Sequence, residues 1–167
     1  MKKLILLAVG ISLFAIPSHA QSVDASVSYS YFRLGGSSPV NQNGFSGSLA
    51  FNHLWLGIVG DFGVYHAAPS GVSLNTYTFL VGPRLTFRNP TKINPFVQGL
   101  VGGSRLSAGY GGASAASNQF AFAFGGGVDI GMAPHIALRP QVDYVGLRNS
   151  GQTINCTRVS LGIVLHL

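Results

Sequence analysis

Apolar and polar residues alternate along most of this chain, in eight separate runs. These are Val23–Leu34, Asn43–Asn52, Leu54–Tyr65, Asn75–Arg88, Pro95–Ser107, Asn118–Gly131, Ile136–Leu147 and Asn155–Leu167. A period of two puts successive side chains on opposite faces of a β-strand. In the first run Val23, Ala25, Val27, Tyr29 and Tyr31 share a face, opposite Asp24, Ser26, Ser28 and Ser30. In the last, Val159, Leu161, Ile163, Leu165 and Leu167 stand against Arg158, Ser160 and His166. Short turns separate some runs, at Asn52-His53, Asn89–Asn94 and Ala133–His135. Longer Gly/Pro/Ser-rich loops separate the others, including Ala67–Ser73 and Gly109–Ser117. An even strand number with alternating short and long connections predicts an all-β fold, an eight-stranded antiparallel transmembrane up-and-down β-barrel. Pro83 and Pro140 lie inside runs, where each removes a ladder donor, so both predict β-bulges.

Composition decides in favour of lipid over water outside this sheet. Charged residues make up 8% of the chain, glutamate is absent and glycine numbers 23. A soluble barrel or sandwich needs a charged exterior. A sheet with one face in lipid spreads its hydrophobicity thinly, without long apolar runs. The inner parity carries all four acids, Asp24, Asp61, Asp129 and Asp143, together with Arg84, Arg139 and Arg158. An arginine on the lipid face at mid-membrane costs roughly 2–4 kcal/mol, so this segregation is what a membrane barrel demands. The seven are expected to form a lumen charge network, because an eight-stranded interior only just accommodates side chains. A narrow or gated pore lined by the same charges is the alternative. Tyr29, Tyr31, Tyr77 and Tyr144 fall near the outward loops, and Phe51 and Phe87 near the short turns. That distribution suggests two aromatic girdles, with packing inside the protein as the competing account. Trp55 has the inner parity but adjoins a turn.

Residues 1–20 read as a signal peptide: Lys2 and Lys3, an apolar run from Leu4 to Ile16, then Ser18-His19-Ala20. The barrel is expected over residues 21–167, in the cell outer membrane with both termini periplasmic. Gln21 at the cleavage point is not the cysteine of a lipoprotein. The formal charge of +6 loses Lys2 and Lys3, leaving eight cations against four acids, or about +4. The arginines stand singly, without the clustered basic face that nucleic-acid binding requires. Cys156 is the only cysteine, which excludes an internal disulfide.

The segments Phe79–Phe87 (FLVGPRLTF), Asn94–Gly103 (NPFVQGLVGG), Phe124–Asp129 (FGGGVD) and Ile136–Tyr144 (IALRPQVDY) resemble the bacterial outer-membrane protein β-barrel family, in the group related to the OmpA transmembrane domain. Val159–Leu167 resembles the C-terminal strand by which such proteins engage the barrel-assembly machinery, although that signal usually ends in an aromatic rather than Leu167. No peptidoglycan-binding domain like that of longer relatives is expected.

Little else in the sequence carries chemistry. A lipid-modifying barrel enzyme gathers His, Ser and a carboxylate, whereas His53, His66, His135 and His166 map to different strands and ends and the acids point inward. No catalytic residue, metal site or cofactor is expected. Gly125–Gly127 lacks the Gly-Lys-Ser/Thr of a phosphate loop and reads as close packing. Arg33, Arg105 and Arg148 map to outward-loop ends, where charge-assisted hydrogen bonds to lipopolysaccharide phosphates compete with plain solvation. The expected function is a non-enzymatic outer-membrane barrel serving envelope structure or surface interaction, its partners outer-membrane lipid and lipopolysaccharide.

Overall fold

The computed structural model describes residues 21–36, 39–68, 73–88, 91–110, 113–149 and 151–167. The expected signal peptide and the centres of several connections lie outside the described residues. Eight strands follow one another: β1 (Gln21–Leu34), β2 (Val40–His53), β3 (Leu56–Ala67), β4 (Ser73–Thr86), β5 (Ile93–Tyr110), β6 (Ala113–Ala133), β7 (Ile136–Asn149) and β8 (Gln152–His166). Each pairs antiparallel with its chain neighbours, and β8 returns to β1 from Asp24↔His166 to Leu34↔Cys156, closing the barrel. Closure removes the sheet edge that hydrocarbon cannot hydrogen-bond. Both ends of the barrel chain sit at the turn end, opposite the connections that follow β1, β3, β5 and β7, here called the loop end.

Three local expectations are corrected. The third strand begins at Leu56, because Leu54-Trp55 forms the turn and Leu54 adopts a left-handed φ of 57°. The expected loop at Gly109–Ser117 is largely strand. β5 and β6 stay paired from Arg105↔Asn118 to Tyr110↔Ala113, so small Ala, Ser and Gly residues form a ribbon rather than a slack connection. Neither proline makes a bulge. Val81↔Val101 and Arg84↔Gln98 keep one register across Pro83, as Gly127↔Gln141 and Ile130↔Leu138 do across Pro140. Each proline's missing donor affects one ladder, while its other side remains paired in Ile58↔Pro83 and Pro140↔Leu161. A register shift does occur between Gly131 and Ala133, beside the β6–β7 turn.

The outer wall is apolar over a defined height. On β1 the belt runs from Val23 to Tyr31, nine residues, close to the ~9–11 residues a tilted transmembrane strand uses. Val27, Phe45, Leu49, Ile58, Phe79, Phe124, Leu161 and Ile163 are all exposed on it. Tyr29, Tyr31 and Tyr144 toward the loop end, and Phe51 and Phe87 toward the turn end, are likewise exposed, so these aromatics face outward rather than pack inside. Trp55 is exposed in its turn, and its carbonyl accepts the Thr86 amide at 2.8 Å.

Above the tyrosines the chemistry of the two faces exchanges while the pleat does not. On β1, exposed Tyr31 is followed by buried Phe32, exposed Arg33 and buried Leu34. β7 repeats the exchange with Val145 and Leu147 inside and Arg148 outside, and β8 with Cys156 inside and Asn155 and Thr157 outside. The loop end therefore follows the rule of a water-soluble barrel, apolar within and polar without, whereas the belt below follows the rule of a membrane.

Candidate functional site: a filled lumen and its rim

Side chains fill the lumen in three layers. At the turn end, Ser22, Asp24, Thr86, Arg88, Asn94, Asp129 and His166 line a polar vestibule of about 260 Å³. Asp24 accepts from Asn52 Nδ2 at 2.6 Å and lies 2.7 Å from His166 Nδ1, directly across the β1–β8 seam. At the loop end an apolar cluster occupies the bore. Phe32 stacks on Tyr65 with ring centroids 4.5 Å apart, among Leu34, Val145, Leu147 and Cys156. This apolar layer was not foreseen in a lumen expected to be charge-filled.

Between them lies one connected charge network. Arg158, 1% exposed, donates from Nη1 to Asp61 at 2.6 Å and to the Tyr65 hydroxyl at 3.2 Å. Its Nε donates to Asp143 at 2.9 Å. Asp143 also accepts from Gln141 at 2.8 Å and from Gln98 at 3.2 Å. The Gln98 carbonyl in turn accepts from Arg84 Nε at 3.1 Å and Nη2 at 2.8 Å. Arg84 touches no carboxylate among the described residues. Instead its guanidinium lies 4.6 Å from the Phe96 ring centroid, with that of Arg139 at 4.7 Å from the same centroid. Arg139 grips Asp129 bidentately at 2.6 and 2.7 Å. Buried ions are stable when paired and hydrogen-bonded; Arg139 and Arg158 have carboxylate partners, whereas Arg84 has the neutral Gln98 carbonyl and the Phe96 face.

The seven residues of the expected charge network are all buried on the inner face. Six are joined through hydrogen bonds and the Phe96 ring; Asp24 stands apart with His166 and Asn52. Gln98, Gln141, Phe96 and Tyr65 complete the network; parity places Gln141 on the inner face with Arg139 and Asp143, but neutral residues of inner parity give no charge signal. A serine ladder lines the β8–β1–β2 side, with Ser26–Ser48 at 2.7 Å and Ser30 at 2.8 Å from both Ser46 and Ser160.

The rim arginines divide. Arg33, Arg105 and Arg148 are all exposed at the loop end. Arg105 pairs across from Asn118 and Arg148 across from Phe120, so those two flank β6, while Arg33 lies on β1 beside Asn41 and Thr157.

One histidine reaches a carboxylate, because β-closure joins His166 to Asp24. Ser22 shares their vestibule, but its hydroxyl is engaged by the Arg88 guanidinium. Among the described residues no group of three His, Cys, Asp or Glu side chains could hold a metal ion.

A closed barrel with a lipid-facing belt and a filled bore defines a membrane-spanning eight-stranded β-barrel. Neither a family model nor a curated protein sequence matches the chain. Among solved structures it is similar to Neisserial surface protein A, with a TM-score of 0.72 at 15% identity over 87% of this chain and 96% of that one. Ail, the attachment invasion locus protein of Yersinia pestis, in complex with the heparin analogue sucrose octasulfate, gives 0.67 at 15% over 89% and 99%. The N-terminal β-barrel domain of Pseudomonas aeruginosa OprF gives 0.61 at 13% over 86% and 97%. The fold is thus that of the small outer-membrane barrels, as the sequence resemblance implies.

Proposed function

We propose that this chain is a non-conducting, non-enzymatic barrel of the bacterial outer membrane. It contributes to envelope structure and presents a polar collar and ribbon at the cell surface. Both termini are periplasmic in this reading, and the loop end faces outward. The observation that carries it is the filled lumen: the apolar layer and the charge network each close the bore, so a gated pore would have to open both. Catalysis is disfavoured because Ser22 is hydrogen-bonded to Arg88 rather than to a histidine. The collar suits anionic partners. All four acids are buried inside, so no protein carboxylate answers Arg33, Arg105 and Arg148, and lipopolysaccharide phosphate is the partner proposed for them. Val159–Leu167 is the segment proposed to engage the assembly machinery.

A deletion strain tests the role. Loss of the protein is expected to lower detergent tolerance while leaving influx of a small hydrophilic β-lactam unchanged. A fall in that influx, with detergent tolerance intact, would overturn the proposal.

A further inference from the structure

We infer that Arg105, Asn118 and Arg148 form a single phosphate-binding clamp across β6 on the outer wall, which takes one phosphate group of a lipopolysaccharide molecule. The inference rests on the proposed outward orientation of the loop end and assigns the interaction to one site rather than to the whole rim. Arg105 on β5 is the cross-strand partner of Asn118, and Arg148 on β7 is the cross-strand partner of Phe120, two residues further along the same strand. Strand spacing and rise set their Cα atoms about 12 Å apart, a span that two long, flexible arginine side chains can bridge around one anion. Asn118 lies between them with an exposed side chain that can donate from its amide. Arg33 is different. Its rung on β8 is Thr157, which on its other side pairs with Tyr144, four residues from Arg148. That offset puts Arg33 about 16 Å from Arg148 by the same spacings, too far to share a ligand.

Three further features point to an anion at lipid height. No acid can neutralise the pair, because Asp24, Asp61, Asp129 and Asp143 are all buried within the lumen. The clamp stands at the foot of the β5–β6 ribbon, where the wall changes from apolar to polar. Directly beside it are exposed Phe120 and half-exposed Tyr77, the cross-strand partner of Arg105. A phosphate with acyl chains beneath it meets cations at that boundary and hydrocarbon below, whereas a soluble anion makes no use of the aromatic surface.

The test uses the refolded full barrel in neutral phosphatidylcholine vesicles. Phosphorylated lipopolysaccharide, its dephosphorylated form, phosphatidylglycerol or inorganic phosphate is added, and thermal unfolding is read by gel mobility. Phosphorylated lipopolysaccharide is expected to raise the unfolding temperature of the wild type, and Arg33→Gln to weaken that response less than Arg105→Gln or Arg148→Gln does. Apparent affinity should fall about tenfold for Arg105→Gln or Arg148→Gln and further for the pair, while Arg105→Lys with Arg148→Lys retains part of it. Equal stabilisation by dephosphorylated lipopolysaccharide, by phosphatidylglycerol or by inorganic phosphate would overturn the assignment, as would an unshifted response in the double Gln variant. A response lost only in Arg33→Gln would overturn the clamp while leaving the broader lipopolysaccharide reading standing.

Discussion

Arg158 is the residue on which the interior turns. It holds two carboxylates from opposite sides of the bore, Asp61 on β3 and Asp143 on β7. Arg158→Met would leave both acids buried without their shared cation and is expected to cost about 3–5 kcal/mol, the range for breaking a buried ion pair from one side. Urea unfolding followed through Trp55, the only tryptophan, measures it. A cost below about 1 kcal/mol, the range of exposed pairs, would mean that the pairs are solvated. Gln98 carries a second expectation. It accepts from Arg84 and donates to Asp143, so Gln98→Leu strips Arg84 of its acceptor at a cost of about 1–3 kcal/mol by the same titration. The charged half of this network is written in the sequence, because parity alone sorts Asp61 and Arg158 from Phe62 and Val159. The neutral half is not. A glutamine on an inner face looks the same whether it relays charge or merely fills space.

At the scale of strands, glycine spacing decides which rows can approach. A Cβ on Gly127 would lie 2.4 Å from the Pro140 carbonyl and 2.9 Å from Phe96 Cζ, whereas one on Gly60 would meet nothing within 4 Å. Gly127→Ala is therefore expected to lower folding yield on the heat-modifiable gel, and Gly60→Ala to fold like the wild type. The opposite ranking would contradict the packing of β6 against β5 and β7. The number, order and facing of the strands are legible because lipid punishes a wrong face strongly. What is harder to read lies at the loop end. There Phe32 and Arg33 keep the alternation but exchange its meaning, since the solvent outside has changed from hydrocarbon to water. The β5–β6 ribbon is hidden for a related reason: residues as small as Ala115 and Ser117 show no contrast between faces, so a paired strand reads like a loop. Pro83 and Pro140 mislead in the other direction, because a ladder that loses one rung on one side keeps its register through the other.

For the whole molecule, the proposed non-conducting barrel has two seals in series along its bore. The apolar layer offers an ion few polar partners, and the charge network below it fills the bore with hydrogen-bonded groups. Phe32→Ala with Leu147→Ala alone is expected to leave the barrel closed, and only its combination with Arg158→Ala to open a leak. The collar of unopposed cations stands on the outside of the barrel, away from the bore. The most direct measurement is single-channel recording of the refolded wild-type barrel in a planar bilayer. A sealed lumen predicts a silent trace across the usual voltage range, with openings appearing only when both layers are breached. Steady wild-type conductance, altered by Arg84→Ala or Arg139→Ala, would contradict it.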